Sequence, residues 1–257
     1  EIMTEVRTIN WKDDTIVLSV DYPKKIQSEY KVVIMCHGLI GSRIGVDRLF
    51  VKASNVLTEL GYLVIRFDYR GCGESSGEYG STQLSDLIDQ TEAIIQFAYD
   101  GFSIMELILL GHSLGGAVAV LTAIKDARVR RLIQWAAVGN PAVDIKRIFG
   151  EERLSELAER EVVDFYGYSF YQTYFDSLID YNPLKSCHKF SGEVLLVHGT
   201  ADEDIPYHYL NKYKNEYLTR NTGTVDSVLI EDGVHTFSSG RQFLKLINGT
   251  VDWLERK

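Results

Sequence analysis

Short, unbroken apolar runs recur along the chain, and an amphipathic stretch follows most of them. Residues 31–36, 62–67, 106–110, 131–136 and 193–198 are largely apolar without alternation, the pattern of strands covered on both faces. Residues 46–60, 84–99, 114–126, 207–218 and 243–255 carry apolar positions at helical spacing, and Gly61 is placed to end the first of them as a C-cap. Two further runs, 3–9 and 15–22, flank a polar turn at 10–14 and predict an antiparallel start to the sheet. Residues 227–230 predict a last strand. Strands alternating with helices imply right-handed βαβ units, hence an α/β architecture whose mostly parallel sheet carries helices on both faces. A single domain over 1–257 is expected.

The alternation fails once. Between 136 and 191 there are helical patterns but no buried strand. Residues 151–163 are heavily charged at helical spacing, and Phe165, Tyr166, Tyr168, Phe170, Tyr171, Tyr174, Phe175 and Tyr181 follow. An excursion this long between two sheet strands predicts a helical lid, inserted over 139–187. Most of its aromatics are expected to form the lid's own core, leaving one or two to face a substrate.

The candidate chemistry gathers behind the 106–110 run. Gly111-His-Ser-Leu-Gly115 lies between that strand and a helix opening on Gly116-Ala-Val-Ala. A serine on such a turn occupies strained backbone, and Gly111 and Gly115 remove side chains that would collide there. Its hydroxyl is a weak nucleophile until a base takes the proton and an acid orients the base. For this setting the chain order is Ser, Asp, His. Beyond the lid and outside a strand stand His208 and His235. His208 falls in the 207–218 helix and reads as a surface residue, whereas His235 follows the last strand and is the expected base. Asp202 and Asp204 both follow the 193–198 strand; Asp202 is the expected acid, and Asp204 is expected to cap the helix that Pro206 starts.

An acyl-transfer site also needs two backbone N–H groups aimed at the developing charge. Leu114, after the serine, and Leu39, in the loop leaving the 31–36 strand, are the expected oxyanion-hole donors. His37 reads as structural, bonding nearby loop backbone. The loop from Asp68 to Ser75 lacks the spacing of a phosphate-binding loop and reads as a glycine-shaped border of the site. Cys36 and Cys72 would need a depressed pKa to act as nucleophiles. No histidine or cysteine pair has metal-ligand spacing, so neither metal nor cofactor is expected.

A net charge of −9 speaks against a nucleic-acid partner, and no run reaches the roughly 20 apolar residues of a membrane span. Cys36, Cys72 and Cys187 are a sparse, odd set, expected as reduced thiols. With no basic-then-apolar opening segment, a cytoplasmic location is expected. Small-molecule esters are the expected partners, and a homodimer stays open.

Taken together, His37-Gly-Leu39, the run Arg66 to Ser75, Gly111-His-Ser-Leu-Gly115, His198-Gly-Thr-Ala-Asp202 and Gly233-Val-His235 resemble the α/β-hydrolase superfamily. Within it the chain is similar to small carboxylesterases of the feruloyl/cinnamoyl type and to the serine-aminopeptidase/monoacylglycerol-lipase group. The resemblance implies an eight-stranded, mostly parallel sheet with a lid after the sixth strand. It assigns Ser113 as nucleophile, Asp202 as acid, His235 as base, and Leu39 and Leu114 as oxyanion donors. Cinnamoyl esterases often carry an aromatic after His-Gly and Gln after the nucleophile; both positions are Leu here, which preserves a backbone oxyanion hole but weakens the cinnamoyl assignment. The expected activity is that of a serine carboxylesterase cleaving acyl or aryl esters, hydroxycinnamoyl ones included, through an acyl-enzyme. A serine aminopeptidase is the alternative, to which an acidic cluster such as Glu151, Glu152 and Glu156 would point. A non-catalytic hydrolase-fold binding protein is disfavoured, because each triad position has a candidate.

Overall fold

The computed structural model describes residues 3–256; Glu1, Ile2 and Lys257, the outermost residues of the expected domain, lie outside it. Strands β1 (Met3–Trp11) and β2 (Asp14–Tyr22) form an antiparallel hairpin, its turn tighter than expected because Lys12 takes φ 50 and the chain reverses between Trp11 and Asp14. β3 (Tyr30–Cys36), α1 (Leu49–Glu59), β4 (Leu63–Phe67), α2 (Leu84–Gly101), β5 (Ile104–His112), α3 (Leu114–Lys125) and β6 (Val129–Trp135) then alternate as the apolar runs predict. The inserted segment holds α4 (Pro141–Phe149), α5 (Glu151–Arg160), β7 (Val162–Phe165), β8 (Tyr168–Tyr171), α6 (Gln172–Leu178) and α7 (Pro183–Ser186). β9 (Glu193–Gly199), α8 (Tyr209–Tyr217), β10 (Val225–Ile230) and α9 (Gly240–Leu254) close the chain.

Eight strands form one sheet in the order β1-β2-β4-β3-β5-β6-β9-β10, antiparallel at β1-β2-β4 and parallel from β4 onward. The parallel strands bury both faces, which is why they read as continuous apolar runs. In β3, Val32 and Ile34 face one core with α2, α3 and the insertion, while Val33 and Met35 face the other with α1 and α9. Among the described residues no helix is long and apolar enough to cross a membrane.

Several predicted helices change their bounds, two of them for clear local reasons. α1 starts at Leu49 rather than 46 because Asp47 and Arg48 take φ 50 and 63. It ends as expected at Gly61: the Gly61 N–H donates to the Thr58 carbonyl and the Tyr62 N–H to the Leu57 carbonyl, each at 3.1 Å. In the insertion, α5 stops at Arg160 instead of 163, and residues 162–171 make a hairpin that the helical reading did not foresee. Val162 and Val163 lead into it, and Tyr166 and Gly167, both at positive φ, supply its two-residue turn.

Candidate active site

Strand order reverses around β3 and β5, and the crevice beyond their carboxyl ends is where ligands of open α/β sheets bind. Both strands deliver candidate residues there: β3 runs into His37, Gly38 and Leu39, and β5 ends on His112, directly before Ser113. Ser113 takes φ 59 and ψ −122, a conformation that L residues rarely adopt. Its neighbours must be glycine for steric reasons. A Cβ on Gly111 would overlap the Gly115 carbonyl, and one on Gly115 would overlap the Cys36 carbonyl of β3. Backbone bonds hold the turn, with Ser113 N–H donating to Trp135 O at 2.9 Å and Val138 N–H donating to Ser113 O at 3.0 Å.

The structure brings Ser113, His235 and Asp202 into one hydrogen-bonded chain. Ser113 Oγ lies 2.9 Å from His235 Nε2, and His235 Nδ1 lies 2.7 Å from Asp202 Oδ2. Asp202 is fully buried at its side chain. Its Oδ1 accepts the N–H groups of Asp204 and Ile205 at 3.0 and 2.8 Å, and its Oδ2 also faces His198 Nε2 at 3.2 Å. Burial alone would raise this carboxyl's pKa; the bonds from His198 and His235, with the charge of His235, outweigh it and hold the group well below the usual carboxylate range. An ionised acid facing Nδ1 fixes the imidazole as the tautomer whose Nε2 can receive a proton.

Two further histidines frame the site. His37 is buried; its Nε2 accepts the Tyr69 N–H at 3.0 Å and its Nδ1 donates to the Gly38 carbonyl at 2.7 Å, tying down the loop that carries Leu39. His112, which the sequence reading left unused, donates from Nε2 to the His235 carbonyl at 2.8 Å. Burial drives the pKa of His37 down to about 4 and that of His112, which also faces His235, down to about 3. Both folded values lie below the roughly 6.5 of a free histidine, so between these limits the unfolded chain binds protons that the folded chain refuses. Stability present above pH ~6.5 is therefore lost as pH falls toward 4, by up to about 3 kcal/mol per histidine. Asp202, held well below the usual carboxylate range, adds its own loss only as the unfolded carboxyl begins to protonate, at the acid end of that window and below it. Urea unfolding from pH 7.5 to 4.5 is expected to show this fall, and His37→Gln should shrink it while lowering stability at pH 7. An unchanged pH slope in His37→Gln would contradict the assignment.

A cavity of about 540 Å³ opens over Ser113 and His235. Leu39, Ile40, Phe50 and Ile148 give it apolar walls, and of the eight aromatics singled out in the insertion Phe165 and Tyr166 reach it. Phe170, Tyr174 and Phe175 instead pack on Phe149 and one another, with ring centroids 4.9 to 6.3 Å apart. Leu39 lines the cavity, and a Cβ on Gly38 would come within 3.6 Å of Ser113 Oγ, so this loop runs against the serine. Leu114 is the first residue of α3, where a helix leaves its N–H groups without intrahelical acceptors. Among the described residues, the Leu39 N–H likewise has no backbone acceptor.

Several expectations are corrected here. Asp204 caps no helix: α8 starts only at Tyr209, with His208 exposed just before it, and Asp204 is an exposed residue lining the cavity beside Glu203. Its carbonyl accepts Arg147 Nη2 of α4 at 2.6 Å. Glu151, Glu152 and Glu156 lie outside the cavity lining, and Glu156 faces Arg160 at 3.7 Å. The thiols are buried; burial pushes Cys36 and Cys187 up to about 12 and Cys72 up as well, which leaves them unreactive. Asp202, Asp204 and His235 each place one donor atom within 4.8 Å of the others, a geometry that could hold a cation. Both His235 nitrogens and both Asp202 oxygens are already engaged, so the donor set does not suit a metal.

The family described as serine aminopeptidase, S33, matches residues 27–256. An uncharacterised 31.7 kDa protein of the traX-finO intergenic region of Escherichia coli is 34% identical over 136 residues, 51% of this chain and 44% of that protein. The lysophosphatidylserine lipase ABHD12 of Danio rerio is 40% identical over 101 residues, 38% of this chain and 24% of that one. The chain thus spans less than half the length of these relatives. Est1E from Butyrivibrio proteoclasticus, solved with ferulic acid bound, superposes with a TM-score of 0.83 at 20% identity, covering 96% of this chain and 97% of its own. Mouse alpha/beta hydrolase domain-containing protein 10 gives 0.78 at 20% identity, with 98% of both chains covered. At such identity the likeness speaks for the fold alone. With the family match running from before β3 to the end of α9, the insertion included, the chain belongs to the serine aminopeptidase S33 family of α/β hydrolases.

Proposed function

We propose that the protein hydrolyses carboxylic esters through an acyl-enzyme on Ser113. The observation that carries this is the continuous bond chain from Ser113 Oγ through His235 to Asp202, 2.9 and 2.7 Å long, beneath the cavity. In this reading His235 Nε2 takes the Ser113 proton as Oγ attacks the ester carbonyl, and then returns it to the departing alcohol. Water, activated by the same imidazole, releases the acid and restores Ser113. The Leu39 and Leu114 N–H groups stabilise the oxyanion; a fixed donor of this kind is worth about 3 kcal/mol. Asp202 holds the imidazole tautomer and offsets the imidazolium charge. Leu39, Ile40, Phe50, Ile148 and Phe165 favour an acyl or aryl group.

Amide cleavage of the aminopeptidase kind is the second reading. Glu203 and Asp204 favour it, because they put carboxylates in the cavity wall where a substrate ammonium could sit. A panel of p-nitrophenyl esters, methyl ferulate and aminoacyl-p-nitroanilides separates the two. Ester turnover is expected to exceed anilide turnover by at least about 100-fold in kcat/KM, a barrier difference of about 2.7 kcal/mol. Anilide turnover above ester turnover would overturn the esterase reading and leave the peptidase.

A further inference from the structure

We propose that His112 is a positioning residue for the base, gripping His235 by its backbone and its ring so that Nε2 stays within reach of Ser113. This rests on the esterase reading above. His112 ends β5, one residue before Ser113, and its 6% exposure leaves it almost fully buried. Its Nε2 lies 2.8 Å from the His235 carbonyl, 123 residues away in sequence. A carbonyl only accepts, so this nitrogen carries the proton. The two imidazoles also stack, with centroids 5.0 Å apart and planes inclined by 30°, and the Phe237 ring lies 6.1 Å from His112 on a second side.

Among the described residues, the backbone of the base loop has other anchors, but they run to α9, to β10 and to the loop after β9 rather than to β5. Val234 N–H donates to Gln242 of α9, and the Gly233 carbonyl accepts the Ala201 N–H of the acid loop. The His112 bond is what joins the backbone of residue 235 to the strand that presents Ser113. It also suits the reaction cycle. When His235 becomes an imidazolium, a neutral aromatic face beside it is favourable, whereas a second cation would oppose the proton transfer. Burial keeps His112 neutral, with its pKa down at about 3.

The two contacts can be separated by substitution. His112→Phe keeps a flat ring and loses the donor; His112→Gln keeps an N–H donor and loses the stack. Five quantities are measured in wild type and both variants. They are kcat and KM on p-nitrophenyl butyrate, the rate of Ser113 labelling by a fluorophosphonate, the acid limb of the kcat/KM profile, and Tm. In His112→Phe, kcat and labelling are expected to fall together by about tenfold or more, the worth of one buried hydrogen bond, with KM within about twofold. The acid limb should move, and His112→Gln should recover part of the loss. Wild-type kcat and labelling in His112→Phe would overturn the inference while leaving the esterase reading intact. So would losses that appear only as a lower Tm with an unmoved acid limb. Should His112→Phe not fold, His112→Leu, which loses both the donor and the ring, decides: wild-type kcat and labelling with an unmoved acid limb there overturn the inference. A wild type that neither labels nor turns over ester removes the esterase reading and this inference with it.

Discussion

Ser113→Ala is expected to lower kcat for ester hydrolysis by about a million-fold, the scale on which serine nucleophiles of this type act. The size follows from the loss of the covalent route. Without Oγ there is no acyl-enzyme, and what survives is binding and oxyanion stabilisation, worth about 10³–10⁴-fold over water. The substitution is unusually clean. The turn is fixed by main-chain bonds from Ser113 to Trp135 and Val138, and the hydroxyl's one side-chain partner among the described residues is His235. Alanine meets the same φ penalty as serine at 59°, so Tm should stay within about 2 °C. Fluorophosphonate labelling should vanish along with turnover. Ester hydrolysis persisting at more than about one part in a thousand, in protein with unchanged Tm, would remove Ser113 from the mechanism.

Much of the scaffold behind that serine is legible from the chain. The parallel strands read correctly because each is buried on both faces and shows no alternation, and β5 could be placed before the serine turn without knowledge of its neighbours. Gly61 was legible for a related reason, since a helix end needs a residue tolerant of positive φ, here 99°. The hairpin at 162–171 was not. Its aromatics satisfy a helical spacing as well as a two-residue one, and the choice is made by packing of Phe165 and Phe170 against Phe149, residues the local pattern does not link.

The site shows the same division. Ser113 announces itself because its strain demands glycine at fixed offsets, and that demand is local. The part played by His112 is non-local: nothing in Gly111-His-Ser reveals that this imidazole meets a carbonyl 123 residues later. The loop 202–206 deceived for another reason. An aspartate before Ile-Pro looks like a helix cap, yet it is Asp202 that takes the N–H groups of Asp204 and Ile205 on Oδ1. The same carboxylate thereby shapes its own loop and presents Oδ2 to His235.

That double use makes Asp202→Asn the second large effect, expected to lower kcat about 10⁴-fold. An amide cannot satisfy both sides of the position. With its oxygen toward His235 and His198, its NH2 group confronts the Asp204 and Ile205 N–H donors, which lie 3.0 and 2.8 Å from Oδ1 in the wild type. With the amide flipped, the loop is satisfied, but NH2 then faces His235 Nδ1. The imidazole must accept there and carry its proton on Nε2, where it can no longer receive one from Ser113. The flipped form keeps the loop bonds and gives up the His198 contact, but the His198 Nε2 proton still has the Ile205 carbonyl at 3.0 Å, so the protein should fold and the loss should fall on kcat rather than KM. Asp204→Asn is the control. Its carboxylate is exposed and accepts no hydrogen bond among the described residues, while the carbonyl that holds Arg147 is unaffected by the change. It should keep kcat on neutral esters within about threefold, less than 1 kcal/mol on the barrier. A dead Asp204→Asn beside a fully active Asp202→Asn would exchange the two roles. The buried bond chain, with its depressed carboxyl at Asp202, argues for the opposite result.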